Sequence, residues 1–393
     1  MSDFSFEKHN DRFNTNSVKW DFIKQNNLPQ NTLPLWVADM DFPTVPEVIS
    51  GLTDLAKTGV WGYSFPSDKY YQAVIDWQNK RHNWIINKEW LVITPGVVPA
   101  INIAIKTFSE KGDAILIQEP VYHPFRMQIE TLARKTISCD LAEHHTNYEI
   151  NFNQFEQTII NNKIKLYILC SPHNPVGRVW TKKELLQLGD ICLKHDVLII
   201  ADEIHHDLIM PDYQHHVLAG LKPDFAEITI TCTAPSKTFN LAGLSISNII
   251  ISNQKLREKF EHKSSQSCWP HPSPFSLRAT EIALNKGDTW LNELLIHIKK
   301  QYERLARTIE EKSLPFSLSP LQGTYLAWLD CREISLDPSK LDQIFLEQAG
   351  LWFNNGSMFG KSGQGFMRIN LACATELFDQ VLERLVTVSN NIC

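Results

Sequence analysis

The sequence predicts an α/β protein: a mainly parallel sheet covered by helices on both sides, followed by a smaller α+β domain. Two observations carry this expectation. Six short apolar runs recur between Leu91 and Ile251, with helical patterns separating most of them, as parallel strands joined by helical crossovers require. Beyond about Asn285 the alternation stops, and a long amphipathic segment, two strand patterns and a closing helix follow.

In chain order, the first forty-odd residues are polar and Asn-rich and are broken by Pro29 and Pro34. They read as an extended arm with little core of its own, so residues 1–45 are assigned to an N-terminal arm or to part of the small domain. Strands buried on both faces are predicted at 91–93, 114–117, 166–170, 197–200, 228–232 and 249–251. A helix over 182–188 takes Thr181 as its cap. These elements make residues 46–284 the large domain. The small domain, 285–393, holds an amphipathic helix over 290–312, strands at 323–330 and 365–371, and a helix over 377–388.

The chain is 393 residues long, 43% hydrophobic and 21% charged, with a net charge of −6 and no basic block. Nothing in that balance favours nucleic acid or an anionic membrane. The eight cysteines are scattered and form no Cys-x-x-Cys pair, which fits a reducing cytosol better than a disulfide framework. No export signal is visible, and no apolar stretch approaches the ~18 residues of a membrane span. The expected location is the cytoplasm.

Three strand ends carry the chemistry. Lys237 lies in a small-residue turn beside Ser236 and Thr238, straight after the 228–232 run. Alone it is also readable as a surface lysine. Asp202 closes the 197–200 run, where it can balance a cation, cap a helix or pair with His205 or His206. Asn174, between His173 and Pro175, gives a stiff turn one polar tip, although Asn-Pro is also a routine turn. Together they are what pyridoxal phosphate needs: an amine for its aldehyde, a carboxylate for its pyridinium and a donor for its ring oxygen. All three follow strand ends, where ligands of open parallel sheets gather.

Supporting residues are less specific. Gly96, Val97 and Val98 link the first strand to a helix starting near Pro99, either as a phosphate cradle or as an ordinary turn. Tyr122 follows the second strand and can stack on the cofactor or wall the core. Arg368 stands alone in an apolar strand and needs an anion, either a substrate carboxylate or an internal Asp or Glu. The histidines at 205, 206, 215 and 216 show no companion Cys or acidic cluster at ligand spacing, so no metal is assigned.

These motifs resemble fold-type I pyridoxal-phosphate enzymes, the aspartate aminotransferase superfamily, and within it the cystathionine β-lyase (C–S lyase) subfamily. The discriminating stretches are 35–42 (Leu-Trp-Val-Ala-Asp-Met-Asp-Phe), 94–99 (Thr-Pro-Gly-Val-Val-Pro), 171–177, 201–205, 234–240 and 366–372. The resemblance implies an aspartate aminotransferase-like fold with a mainly parallel seven-stranded sheet, and a homodimer with shared active sites. It makes Lys237 the residue bonded to the cofactor and the catalytic base, Asp202 the pyridinium partner and Asn174 the donor to the ring hydroxyl. Tyr122 becomes the stacking ring, with a part in catalysis and substrate binding. Gly96, Val97, Val98 and Ser236 bind phosphate, Tyr63 reaches the partner's phosphate across the interface, and Arg368 takes the substrate carboxylate.

Two departures stand out. Ser245 occupies the place where many aminotransferases carry a phosphate-binding arginine, which leans toward a lyase. His123 follows Tyr122 where some relatives have a second tyrosine. The implied reaction is α,β-elimination of sulfur-containing L-amino acids such as cystathionine, giving a thiol (homocysteine in that case), pyruvate and ammonia. An aminotransferase is the alternative. A cofactor-binding regulatory protein is a third reading, for which the sequence offers no DNA-binding appendage.

Overall fold

The apolar runs assemble into one seven-stranded sheet in a computed structural model that describes residues 4–392. Its strands are β1 (Leu91–Thr94), β2 (Ala114–Ile117), β3 (Lys135–Ser138), β4 (Leu166–Cys170), β5 (Leu198–Asp202), β6 (Thr229–Thr233) and β7 (Ser247–Ile250). They lie in the order β1-β7-β6-β5-β4-β2-β3. Only β7 runs antiparallel to its neighbours. All five residues of β4 are buried, which explains why these strands read as continuous apolar runs rather than alternating ones. The sequence reading missed β3, which pairs only with β2. It is an edge strand, partly exposed, and its Lys-Thr-Ile-Ser sequence lacks the buried-strand signature.

Register decides where the chemistry falls. Cys170 pairs with Asp202, and Asp202 with Cys232. The carboxyl ends of β4, β5 and β6 are therefore level, and the segments carrying Asn174, Asp202 and Lys237 leave the sheet side by side.

The helices that matter here are α1 (Val18–Gln25), α2 (Val97–Phe108), α3 (Lys182–Lys194), α4 (Pro235–Thr238), α5 (Pro274–Lys286), α6 (Asp288–Glu311) and α7 (Thr375–Ile392). Thr181 and Glu184 form a reciprocal capping box at the start of α3, fixing its first turn as the sequence suggested. A second sheet, in the order β8-β9-β11-β10, comprises β8 (Ser317–Leu318), β9 (Leu326–Asp330), β10 (Asn354–Asn355) and β11 (Phe366–Asn370). Helix α5 runs through position 284 and ends at Lys286, and α6 begins at Asp288. No described helix is long and apolar enough to cross a membrane.

The N-terminal reading needs correction. Residues 18–25 are helical, and Leu33–Pro34 pairs in parallel with Leu351–Trp352. Trp20, Ile23, Leu33 and Leu35 join the same core as Trp290, Leu326, Ile369 and Phe378. A few large apolar side chains set among asparagines are enough to dock the arm.

That docking includes a buried ion pair. Lys19 Nζ lies 2.7 Å from the Asp41 carboxylate, with both side chains fully buried. Asp41 also accepts from Trp20 Nε1 at 2.9 Å and Arg12 Nη1 at 3.0 Å. Asp41→Ala leaves the buried ammonium only the Asp39 carboxylate, 3.7 Å away, and strips it of its close partner, which costs about 3 kcal/mol. Urea unfolding of variant and wild type checks this, and a loss below about 1 kcal/mol contradicts it.

Candidate active site

Lys237 sits in the single turn α4, directly after β6. Its Nζ donates to the Ala38 carbonyl at 2.6 Å. Burial pulls the amine down from its ordinary 10.5 to about 8. The Asp39 charge opposes that fall, Arg368 adds to it and Asp202 opposes it. An amine held there is neutral in an appreciable fraction of molecules near neutrality, as a nucleophile toward an aldehyde must be.

Asp202 ends β5, buried, and accepts one hydrogen bond, from Ile204 N–H at 3.1 Å. Burial pushes its carboxyl up to about 7, against the pull of that N–H and of Lys237. A carboxylate so short of partners is completed by a cation. Asn174 is buried, and its Oδ1 accepts from Arg368 Nη1 at 3.1 Å. Because a guanidinium only donates, the amide oxygen must face it. The Asn174 NH₂ is left without an acceptor among the described residues.

Lys237, Asp202, Asn174 and Tyr122 line one cavity of ≈ 210 Å³ with Gly96, Val97, Val98, Ser236 and Ser245. Helix α2 starts at Val97, and Gly96 precedes it at φ +157°, a conformation that glycine adopts most easily. The first N–H groups of a helix have no intrahelical acceptor, so this end of the cavity suits an anion. An amine, a carboxylate short of a cation, a free amide donor and an anion cradle are the donor set that pyridoxal phosphate requires. The residues fit that cofactor.

Arg368 stands just outside the lining, behind Asn174. It is buried in β11 and donates to Asn174, to the Trp36 carbonyl and to Asn354, while its Nε has no partner. Among the described residues it pairs with no carboxylate, and burial lowers the guanidinium to about 10. Burial raises the Tyr122 phenol, as does the charge of Asp202. Tyr63 lies away from the cavity and is 97% exposed.

Sequence reasoning gave no role to Ala38, His205 or Tyr325. The Ala38 carbonyl accepts from both Lys237 and the Tyr325 hydroxyl, the latter at 2.8 Å. A backbone acceptor leaves no mark on residue type, although 35–42 did stand out as a motif. His205 lines the cavity with its imidazole held well below its ordinary range by burial and by the charges of Lys237 and Arg368. The expectation that the histidines lack an acidic companion is corrected. His82, His206 and Asp207 place ligand-type atoms within 4.8 Å of one another. His82 is more than a hundred positions away in sequence, which hid the cluster. Asp207 accepts from Trp77 Nε1 at 3.0 Å, His82 Nε2 at 2.9 Å and Thr238 Oγ1 at 2.7 Å. It thereby braces the residue next to Lys237.

The cavity and the sheet around it belong to a known family. Residues 30–385 match the aminotransferase class I and II family, and the chain is a member of it. Within that family it falls in the cystathionine β-lyase group. Cystathionine beta-lyase PatB of Bacillus subtilis (strain 168) is 36% identical over 97% of this chain and 98% of that protein. Cystalysin from Treponema denticola, whose crystal structure contains a pyridoxal 5′-phosphate cofactor, superposes with a TM-score of 0.96 at 38% identity. The match covers 99% of this chain and all of that one. The pyridoxal-phosphate-bound C–S lyase from Staphylococcus hominis gives a TM-score of 0.91 at 31% identity, over 99% and 98% of the two chains.

The buried amine makes a prediction for the cofactor-free protein. Its lowered pKa means that Lys237 loses its proton earlier on the alkaline side than a surface lysine. Modification of Lys237 by trinitrobenzenesulfonate should rise through about pH 8, not through 10.5. Peptide mapping against pH checks this. A Lys237 profile that tracks the bulk lysines contradicts it.

Proposed function

We propose that the protein is a pyridoxal-phosphate-dependent C–S β-lyase that cleaves thioether or thiol amino acids such as cystathionine to a thiol, pyruvate and ammonia. Bound at Lys237, pyridoxal phosphate supplies the electron sink that lets the α-C–H bond break. The chain's own residues do the rest. Asp202 holds the ring nitrogen protonated, Asn174 donates to the ring oxygen, and the α2 N-terminus with Ser236 holds the phosphate. Arg368 takes the substrate carboxylate, which places the α-carbon beside Lys237 Nζ. That amine removes the α-proton. Loss of the β-thiolate and addition of one water leave pyruvate and ammonia. The same reading lets residues 46–284 carry the cofactor while the arm and 285–393 cover it.

The observation that carries this reading is the buried Arg368, which has amide and carbonyl partners but no anion. A buried guanidinium of that kind is costly until a carboxylate arrives, and Lys237 is close enough to feel its charge. Similarity to proteins named cystathionine β-lyase favours elimination over transfer.

A homodimer belongs to this reading. Val60, Tyr63 and Phe65 are 83%, 97% and 80% exposed along one irregular segment, an apolar surface that a second subunit would cover. That supports Tyr63 acting at the partner's phosphate. Phe65→Asp should yield monomers with weakened cofactor retention, checked by sedimentation and by absorbance after dialysis. A cofactor-saturated monomer contradicts the shared site.

Elimination and transamination share the proton abstraction and part afterwards. Supplied with cystathionine and no 2-oxo acid, the enzyme should release pyruvate and thiol over many turnovers, and Lys237→Ala should release neither. A single half-reaction that stalls on aminated cofactor favours an aminotransferase. Near-wild-type turnover by Lys237→Ala removes the assigned base.

A further inference from the structure

Two carboxylates are buried behind the Lys237 turn with no lysine or arginine to balance them. Glu203 and Asp207 are both buried. Among the described residues their ion-pair partners are histidines alone, His215 for Glu203, and His82 and His206 for Asp207. A neutral imidazole brings no positive charge, and a buried anion is costly without one. The cluster therefore calls for a cation, either protons on its histidines or an ion held among them.

His206 is arranged for the second. Its Nδ1 meets the Glu203 carbonyl, and because a carbonyl only accepts, Nδ1 carries the proton. The neutral ring then presents a bare lone pair at Nε2, which is buried and has no hydrogen-bond partner among the described residues. Facing it at 3.4 Å is Asp207 Oδ2. Two acceptors turned toward each other repel unless a positive centre lies between them. Metal-bound histidines are held this way, one N–H on a backbone carbonyl and the other nitrogen free for the ion.

The spacing suits a small ion. Asp207 Oδ1 lies 2.9 Å from His82 Nε2, and one ligand-type atom from each of His82, His206 and Asp207 falls within 4.8 Å of the others. A tetrahedral ion with bonds of about 2.1 Å spaces its ligands roughly 3.4 Å apart. Asp207 is braced as ligating carboxylates are, by Trp77 Nε1 at 3.0 Å and Thr238 Oγ1 at 2.7 Å. His206, Asp207 and Gln78 line a space of ≈ 10 Å³, and the Gln78 Oε1 is buried without a donor. That space admits one ion or one water and no substrate, so the site is of the closed, structural kind. Two imidazoles and a carboxylate favour a borderline transition ion over calcium or magnesium.

We propose that His82, His206 and Asp207 bind one divalent ion of the zinc class, with Gln78 offering the fourth ligand oxygen. The ion balances the buried charge and ties the end of the helix Asp68–His82 to the segment that follows β5. Through Thr238 it braces, from behind, the turn that carries Lys237.

The test is the metal content of the holoenzyme, produced in zinc-supplemented medium and dialysed against EDTA. Wild type should retain about one zinc per chain, because a closed site takes its ion as the chain folds. His82→Ala and His206→Ala should each cut that content on the order of tenfold, with circular dichroism and cofactor absorbance checking that the variants fold. Crystals of the wild type need no variant: an anomalous difference map at the zinc edge should show a peak among the three side chains. A zinc-free wild type, zinc retained equally by both variants, or a water without anomalous signal at that position overturns the site.

Discussion

The site is organised around a strap of half-buried, irregular backbone, residues 36–41, whose carbonyls must find donors without help from a sheet or helix. Side chains from every part of the molecule supply them. Trp36 is met by Arg368, and Val37 and Asp39 by Asn370. Ala38 is met by Lys237 and Tyr325, and Met40 by Asn240 and Arg12. One strand of polar backbone thus fixes the lysine of the large sheet against the arginine of the small one. When a cofactor takes the lysine amine, the Tyr325 hydroxyl still holds the Ala38 carbonyl, so engaging the site need not undo the strap.

Burial supplies the electrostatics. It brings the Lys237 amine down and the Asp202 carboxyl up until both lie near neutrality. An amine poised that way binds and releases a proton at small cost, which base catalysis requires, while the carboxyl is poised to ionise against an incoming cation. Arg368 is set up in the opposite sense, because a guanidinium stays charged and its burial leaves a standing demand for an anion. Of the two lysine neighbours, Thr238 adds stiffness through its hydrogen bond to Asp207, and Ser236 lines the cavity.

What could be read in advance follows from where each signal lives. The interior strands showed because both faces are buried, so Leu166–Cys170 has no polar residue to confuse the pattern. The edge strand Lys135–Ser138 did not, because one side of it answers to water. Lys237, Asp202, Asn174 and Arg368 were legible as polar residues out of place at strand ends or inside an apolar run. The Ala38 carbonyl, the His82–Asp207 contact and the docked arm were not, because each depends on partners far away in sequence or on backbone atoms alike in every residue. Tyr63 was singled out only by resemblance, and its exposure in a single chain is what a residue serving a second subunit would show.

The central claim is that Lys237, and no other amine, bonds the cofactor. Reducing the yellow holoenzyme with borohydride, digesting it and locating the pyridoxyl adduct by mass spectrometry tests this directly. The account predicts one modified peptide, carrying the group on Lys237. A protein that stays colourless with pyridoxal phosphate, or an adduct on another lysine, contradicts it.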